Sequence, residues 1–308
     1  MRTLASKGAV AVIAAFLGAL SVAGCGGASA HSSTRARASC RKACSAPGSA
    51  SATATQPSLH TTVTGRATGK PGTAAVPVLM YHVINPPIPG APYPALYVPK
   101  AQFAAQMRAL KAAGWHAVTM DQLQAYRTRG VPLPAGKPIV LTFDNGYVSQ
   151  YTNAMPVLKS LGWVGVENIQ LTGLPPSQGG LSERQVKALI SAGWELDTQG
   201  ISHADLITLG PAALRYQTLT ARQILRRRYR VPVNWFAYPS GHYNATVIRA
   251  LKTAGFLGSE TVVPGWATPG ADPFRLPRLR VVGGTSPQGL LALIASARGA
   301  GAPPATYP

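Results

Sequence analysis

The sequence predicts one α/β domain with a largely parallel sheet, preceded by a secretion signal and a polar linker. Short apolar runs rich in β-branched residues alternate with segments of helical spacing about seven times along the chain. Such alternation favours parallel strands joined by right-handed crossovers. The chain has 308 residues and a hydrophobic content of 46%. Roughly 230 residues remain after the leading segments, which is enough for one large domain with its own core.

The first 25 residues have the pattern of a secretion signal. Arg2 and Lys7 give a positive start, and residues 8–20 form an apolar run that is too short for an ordinary membrane span. Val22 to Cys25 resembles the lipobox of bacterial lipoproteins, which implies a diacylglycerol on the Cys25 thiol. We therefore expect an extracytoplasmic chain that is lipid-anchored to the cell membrane. The alternative is an ordinary signal with a chance cysteine, and a secreted protein.

Residues 26–75 are expected to be a flexible, disordered linker. They are rich in Ala, Ser, Thr, Gly and Arg and hold almost no large apolar side chain, so they cannot offset their ordering entropy. Cys40 and Cys44 lie within this segment and could close a small loop in an oxidising compartment. We expect the folded domain over residues 76–300, followed by a tail over residues 301–308.

The charge of the chain favours anionic surroundings. It carries 29 Lys and Arg against 9 Asp and Glu, a net charge of +20, and no acid precedes Asp121. Phospholipid headgroups and anionic wall polymers are suitable partners for such a surface. Nucleic acid is not expected, because the charges are scattered without stacking aromatics or a helix-turn-helix pattern. A solvated basic surface without a specific partner is the alternative.

A buried strand over residues 139–143 is the centre of the predicted domain. The run is apolar and β-branched, bounded by Pro138 and Gly146. It ends in Asp144 and Asn145, at the carboxyl end of a strand, where ligands and catalytic groups lie in α/β folds. A carboxylate at that position is costly unless a partner or a ligand uses it.

The other elements follow from the same patterns. Strands are predicted over residues 76–84, 116–119, 163–169, 194–198, 233–238, 256–262 and 276–281. Helices are predicted over residues 103–114, 120–129, 148–161, 182–192, 211–229, 244–254 and 287–297. Ser182 and Gln185 form a capping box, and Asn244 is a helix cap. Glu167 and Asn168 are polar residues within a predicted strand. We therefore expect them to lie at an exposed end of that strand.

Three motifs resemble the polysaccharide deacetylase (NodB homology) family. Residues 142–146, Thr-Phe-Asp-Asn-Gly, are similar to its Thr-Phe-Asp-Asp-Gly motif, and residues 199–203, Gln-Gly-Ile-Ser-His, to its His-Thr-x-Ser/Thr-His motif. Residues 238–244, Tyr-Pro-Ser-Gly-His-Tyr-Asn, are similar to its Tyr-Pro-Phe-Gly-x-Tyr-Asn turn, and residues 79–82 to an opening Leu-x-Tyr-His. The resemblance covers residues 76–298 and implies a distorted, incomplete (β/α)7 barrel.

The resemblance implies roles for the motif residues. Asp144 is the general base, and a divalent metal, zinc in most cases, is held at Asn145, Gln199 and His203. A backbone N–H near Ser240 binds the oxyanion, and Arg278 or Arg280 orients the base. His82 faces the site and, like His242, is a candidate acid; a packed histidine is the alternative for His82. The predicted substrate-binding residues are Tyr238, Pro239, Gly241, Tyr243 and Trp266, with a packed core residue as the alternative for Trp266.

The metal site departs from the family pattern at two positions. Asn145 stands where the family has an aspartate, and Gln199 where it has a histidine. One imidazole and two neutral amides make a poor zinc site, and losing a contact carboxylate should weaken binding roughly a thousandfold. Two hypotheses follow. The chain is either a deacetylase of an acetylated extracellular or cell-wall glycan with a weakened metal site, or a pseudoenzyme that binds glycan without a metal and without turnover.

Overall fold

The computed structural model describes residues 65–172, 174 and 179–308. The predicted signal peptide with Cys25, and the two linker cysteines, lie outside these residues. Within the described part, no helix combines the length and the apolar character that a membrane span requires.

The strands form one sheet that curls into an incomplete barrel, as predicted. The strands are Val76–Tyr81 (β1), Trp115–Val118 (β2), Lys137–Asn145 (β3), Val166–Ile169 (β4), Glu195–Thr198 (β5), Trp235–Ala237 (β6), Gly258–Glu260 (β7), Trp266–Ala267 (β8) and Leu279–Arg280 (β9). The α-helices are Lys100–Ala112 (α1), Met120–Arg129 (α2), Met155–Ser160 (α3), Glu183–Ser191 (α4), Pro211–Arg215 (α5), Ala221–Tyr229 (α6), Ala245–Ala254 (α7) and Pro287–Ser296 (α8).

The strand order is β7-β6-β5-β4-β3-β1-β8, with β2 also paired to β3 and β9 to β1. These pairs are parallel except β1 with β8, which is antiparallel. The register places Asp144 beside Asn168, and Asn168 beside Asp197. Three polar residues on neighbouring strands therefore form one row across the sheet.

Aromatic packing between the sheet and the helices fixes the central strand. The Phe143 ring lies 5.7 Å from the Tyr81 ring and 4.9 Å from the Trp194 ring, and Tyr81 also meets Phe103 edge to face at 5.2 Å. Burying each of these side chains contributes about 1.5–3 kcal/mol. Because successive strand residues point to opposite faces, a Phe143 packed towards the helices directs Asp144 into the barrel.

The helix caps form as predicted. The side chain of Ser182 accepts from the Gln185 N–H in a capping box, and Asn244 accepts from the N–H groups of the first turn of α7. The predicted helices over residues 148–161 and 211–229 are interrupted by π-helical turns, at Gln150–Ala154 and Tyr216–Thr220. Gln150, in the first of these turns, donates through Nε2 to the backbone carbonyl oxygens of His82 and Asp144, at 2.9 and 2.8 Å.

The packed part of the chain begins before residue 76, so the predicted linker boundary is too late. The Thr68 N–H donates to the Gly130 carbonyl, and the Gly72 N–H to the Tyr126 carbonyl. The Ala74 N–H donates to the Tyr126 hydroxyl. These bonds attach the last residues of the predicted linker to the end of α2. They form because the backbone groups that follow α2 need partners.

Candidate active site

The carboxyl ends of the strands surround a cavity of about 720 Å³. Seven of the predicted site residues line it: His82, Asp144, Asn145, Gln199, His203, Tyr238 and Ser240. They come from chain segments far apart in sequence, and the parallel sheet brings the ends of those segments together. The structure therefore gathers the motifs as the sequence analysis expected, while their chemical roles remain predictions.

Asp144 is a buried carboxylate held by an arginine. Arg278 Nη1 and Nη2 donate to the two carboxylate oxygens, each at 2.8 Å, and Asn168 Nδ2 donates to Oδ1 at 3.0 Å. Burial alone would raise the pKa of Asp144, but the charge and hydrogen bonds of Arg278 hold it below its usual value. Asp144 is thus ionised at neutral pH, and Arg278 rather than Arg280 orients it.

Three cavity residues adopt a left-handed backbone. Asn145, His203 and Ser240 have φ values of 80°, 56° and 56°, and they are three of the four non-glycine residues in this region among those described. Asn and His tolerate this conformation better than most residue types, but each such residue still costs free energy. The concentration of strain at one cavity is typical of a functional site.

The two amides at the predicted metal positions differ in their partners. Asn145 Nδ2 donates to Gln170 Oε1 at 2.7 Å, and Gln170 in turn donates to the Thr172 carbonyl. Gln199 is buried, and its Oε1 has no hydrogen-bond partner among the described residues. A chain of amides therefore fixes Asn145, whereas, among the described residues, the buried Oε1 of the cavity residue Gln199 is left without a partner.

This donor set does not fit zinc. Within the described residues, no group of three or more His, Cys, Asp or Glu side chains is arranged to hold a metal ion. The predicted positions supply one imidazole and two uncharged amides, whereas protein zinc sites use thiolates, imidazoles and carboxylates. The carboxylate that lines the cavity, Asp144, has both oxygens engaged by Arg278. The residues suit a neutral, hydrogen-bonding ligand better than a divalent cation.

His82 is buried and lines the cavity. Burial lowers the pKa of its imidazole to about 4, although the nearby Asp144 opposes the change. Its Nδ1 has no partner among the described residues. The ring is therefore neutral at pH 7, so His82 does not supply an imidazolium acid in this state of the cavity.

The turn after β6 forms one wall of the cavity, but only part of it faces the ligand space. Tyr238 and Ser240 line the cavity, whereas Pro239 and Gly241 are buried in the turn. Tyr243 stacks on Tyr238 at 4.8 Å, and its hydroxyl donates to the Pro304 carbonyl. The prediction that Tyr243 contacts substrate is therefore wrong, because its ring supports Tyr238 from behind and its hydroxyl is held by the tail.

Trp266 lies at the other end of the barrel, so its assignment as a substrate-binding residue is wrong, and the alternative of a packed residue fits the structure. It belongs to β8, where it pairs with Pro77 at the amino end of β1. Its indole N–H donates to the Ile294 carbonyl, and its ring packs against Trp115. The cause is the antiparallel strand β8, which returns the chain to the amino end after β7.

A buried polar network behind Asp144 was not predicted. Asn168 and Glu260 have no exposed surface, and Glu167 is 1% exposed, so the expected exposed strand end at Glu167 and Asn168 is wrong. Asn168 Nδ2 donates to Glu260 Oε2 at 2.8 Å, and Arg278 Nη1 donates to the same oxygen at 3.0 Å. Burial raises the pKa of Glu260 to about 7, against the charge of Arg278. Arg278 therefore donates hydrogen bonds to two carboxyl groups, those of Asp144 and Glu260.

Further residues line the cavity that the sequence analysis did not name as ligand-contacting. One of them, Arg280, was named only as a candidate to orient Asp144. The polar and aromatic ones are Tyr93, Tyr97, Tyr147, Gln170 and Arg280. Most of them lie just after a strand or in the Pro-rich loop after β1. Their position just after a strand could therefore have indicated that they line the cavity. Nothing in the neighbouring sequence, however, distinguishes these residues from ordinary loop residues.

The fold and the cavity together define an α/β barrel with a polar site at the carboxyl ends of its strands, the position of active sites in such barrels. Residues 133–258 match the polysaccharide deacetylase family model. A Bacillus subtilis protein named as a polysaccharide deacetylase, YxkH, is 29% identical over 224 residues, which are 72% of this chain and 77% of that protein. The match identifies residues 133–258 as a polysaccharide deacetylase domain.

Two other relatives extend the comparison. The solved structure of the Streptococcus pyogenes deacetylase PplD in complex with acetate has a TM-score of 0.66 and 26% identity. The matched region covers 72% of this chain and 99% of the PplD chain. The poly-β-1,6-N-acetyl-D-glucosamine N-deacetylase of Escherichia coli K12 is 40% identical over 57 residues, which are 18% of this chain and 8% of that protein.

Proposed function

We propose that the cavity binds an N-acetylated glycan and does not hydrolyse it by a zinc-dependent route. The observation that carries this proposal is the pair of neutral amides, Asn145 and Gln199, at the positions that face the cavity beside Asp144. Amides exchange hydrogen bonds with hydroxyl and acetamido groups, but they supply no charge for a metal ion.

Unsatisfied polar atoms of two cavity residues support a ligand that forms hydrogen bonds. Gln199 Oε1 and His82 Nδ1 are buried without partners among the described residues. An unpaired buried polar group costs about 1–3 kcal/mol, and a sugar hydroxyl or an acetamido N–H would remove that cost. The relatives named above, one acting on an N-acetylglucosamine polymer and one solved with acetate, are consistent with an acetylated ligand.

A second candidate function is deacetylation at the same cavity. It is favoured by Asp144, which Arg278 keeps as a carboxylate at the cavity. The Ser240 turn, which lines the same space in a left-handed conformation, also favours it. Because the donor set does not fit zinc, deacetylation would need another electrophile to polarise the acetyl carbonyl.

The proposed location is the outer face of the cell membrane, with a diacylglycerol on Cys25 as the anchor. The signal-like start of the chain supports this location. Cys25→Ala should move the protein from the membrane fraction to the soluble fraction, and an unchanged membrane fraction would count against the anchor.

The test of function combines binding and turnover on the same preparation. Calorimetric titration with chitotetraose, and with its fully deacetylated form as the matched control, measures binding and its dependence on the acetyl groups. Release of acetate from chitotetraose, with and without added zinc, measures hydrolysis. Binding of the acetylated form without zinc-dependent release is the expected result. Zinc-dependent release would replace the proposal by the second candidate, and the absence of both binding and release would refute both.

A further inference from the structure

One wall of the cavity is built from the loop after β1 and the segment after β9. The Gly283 N–H donates to the Ala95 carbonyl at 2.9 Å. A Cβ on Gly283 would lie 2.4 Å from the Tyr97 carbonyl oxygen, so the close approach of the two segments requires glycine. Strand β9 is itself paired to β1, with Arg280 beside Met80. This wall, which we call the β9 wall, is therefore a fixed surface.

Tyr93 presents an aromatic ring on the β9 wall. It is 70% exposed and lines the cavity, directly before the short helical turn Pro94–Leu96. Pro92 and Pro94 flank it and restrict the backbone on both sides. An exposed aromatic face can cover the apolar C–H face of a sugar ring, and a restricted backbone lowers the entropy that is lost on binding.

Arg280 supplies an uncompensated positive charge on the same wall. Its side chain is exposed and lines the cavity. Its guanidinium makes no hydrogen bond or ion pair with any residue that the structure describes. Among the described Asp, Glu, Lys and Arg side chains, the only other one that lines the cavity is Asp144, whose charge Arg278 neutralises. The ligand space therefore has a positive wall and no free negative group.

We propose that the β9 wall is a subsite for a carboxylate-bearing sugar that neighbours the N-acetylated residue of the glycan. Arg280 donates two N–H groups to the carboxylate, because a planar guanidinium matches that geometry. Tyr93 stacks on the ring of the same sugar. The inference rests on the proposed function and narrows its ligand to an acidic, N-acetylated glycan.

The test compares two N-acetylated tetrasaccharides that differ in charge. Hyaluronan tetrasaccharide, which alternates N-acetylglucosamine with glucuronate, and the neutral chitotetraose are each titrated into the full-length chain. The acidic ligand should bind about tenfold more tightly, and its affinity should fall with rising salt. Arg280→Gln should remove the preference, while Arg280→Lys should keep part of it. Tyr93→Ala should weaken the binding of both tetrasaccharides, whereas Tyr93→Phe should leave the binding of both unchanged.

Arg226→Gln is the matched control, because Arg226 is also exposed but is not among the residues that line the cavity. Equal weakening by the Arg226 and Arg280 changes would show a general charge effect and overturn the subsite. Equal affinity of the wild type for the two tetrasaccharides would overturn it as well, while leaving the proposed glycan binding intact. If neither ligand binds, the proposed function fails, and the subsite fails with it.

Discussion

Replacing Arg278 by methionine should strongly destabilise the protein. Arg278 has no exposed surface and donates five hydrogen bonds, including two to Asp144 and one to Glu260. Methionine fills a similar volume but leaves two buried carboxyl groups without a counter-ion. Removing one partner of a buried ion pair costs about 3–5 kcal/mol, a large fraction of a typical stability of about 5–15 kcal/mol.

The loss should depend on pH. Arg278 holds the pKa of Asp144 below its usual value, so the ion pair adds stability above the unfolded pKa of about 4 and loses it as the pH falls. Without Arg278, burial raises the pKa of Asp144, and both carboxyl groups can take up protons in acid. The difference between wild type and Arg278→Met should therefore be large near ~pH 8 and shrink towards ~pH 4.

Urea unfolding followed by tryptophan fluorescence measures this loss. Arg275→Met is the control, because Arg275 pairs with Asp272 at a partly exposed site and should contribute about 0–1 kcal/mol. Adding Asp144→Asn and Glu260→Gln to Arg278→Met should recover much of the stability, since no buried charge remains. A loss below about 1 kcal/mol for Arg278→Met, or a loss that is independent of pH, would refute the reasoning.

Three further changes test other parts of the structure. Burial raises the pKa of Asp197 to about 8, so the free energy of unfolding should fall as the pH rises from about 4 to 8. Asp197→Asn should flatten that slope in urea titrations, and an unchanged slope would contradict the assignment. Gln199→Leu should weaken chitotetraose binding about twofold to tenfold in calorimetry, with the exposed Gln223→Leu as control; equal affinities would remove Gln199 from the site. Gly241→Ala should lower the thermal midpoint more than Gly270→Ala, because both have positive φ but only a Cβ on Gly241 meets a valine, at 2.3 Å; equal shifts would show that packing is not the cause.

Local signals in the sequence were sufficient for most of the elements. The capping box at Ser182 and the cap at Asn244 place two helix starts, since those side chains satisfy backbone N–H groups that have no partner within the helix. Apolar runs place the strands, because buried parallel strands are apolar on both faces. The cavity was also predictable, because the motif residues follow strands whose carboxyl ends meet.

The polar network behind Asp144 depends on contacts that local patterns do not show. Glu167 and Asn168 suggest exposure when only neighbouring residues are considered, yet both are buried. Asn168 donates to Asp144 and Glu260, and Arg278, which pairs with both, lies 134 residues from Asp144 in sequence. A buried polar residue needs a partner, and the sequence does not reveal which distant residue provides it.

The rim and the misplaced tryptophan illustrate the same limit. Tyr93 lies in a Pro-rich loop, where an aromatic residue carries no periodic signal, and its place on the cavity depends on contacts with the segment after β9. Trp266 was assigned from the family resemblance, but an antiparallel strand takes it to the opposite end of the barrel. Direction of a short strand depends on its pairing partner rather than on its own residues.

Calorimetric titration with zinc chloride tests most directly whether Asn145 and Gln199 make this cavity a glycan site instead of a zinc site. The wild type and the double variant Asn145→Asp with Gln199→His are compared under the same conditions. The double variant should bind zinc roughly a thousandfold more tightly than the wild type, because it regains a carboxylate and an imidazole. Equally tight, stoichiometric zinc binding by the wild type would contradict the account.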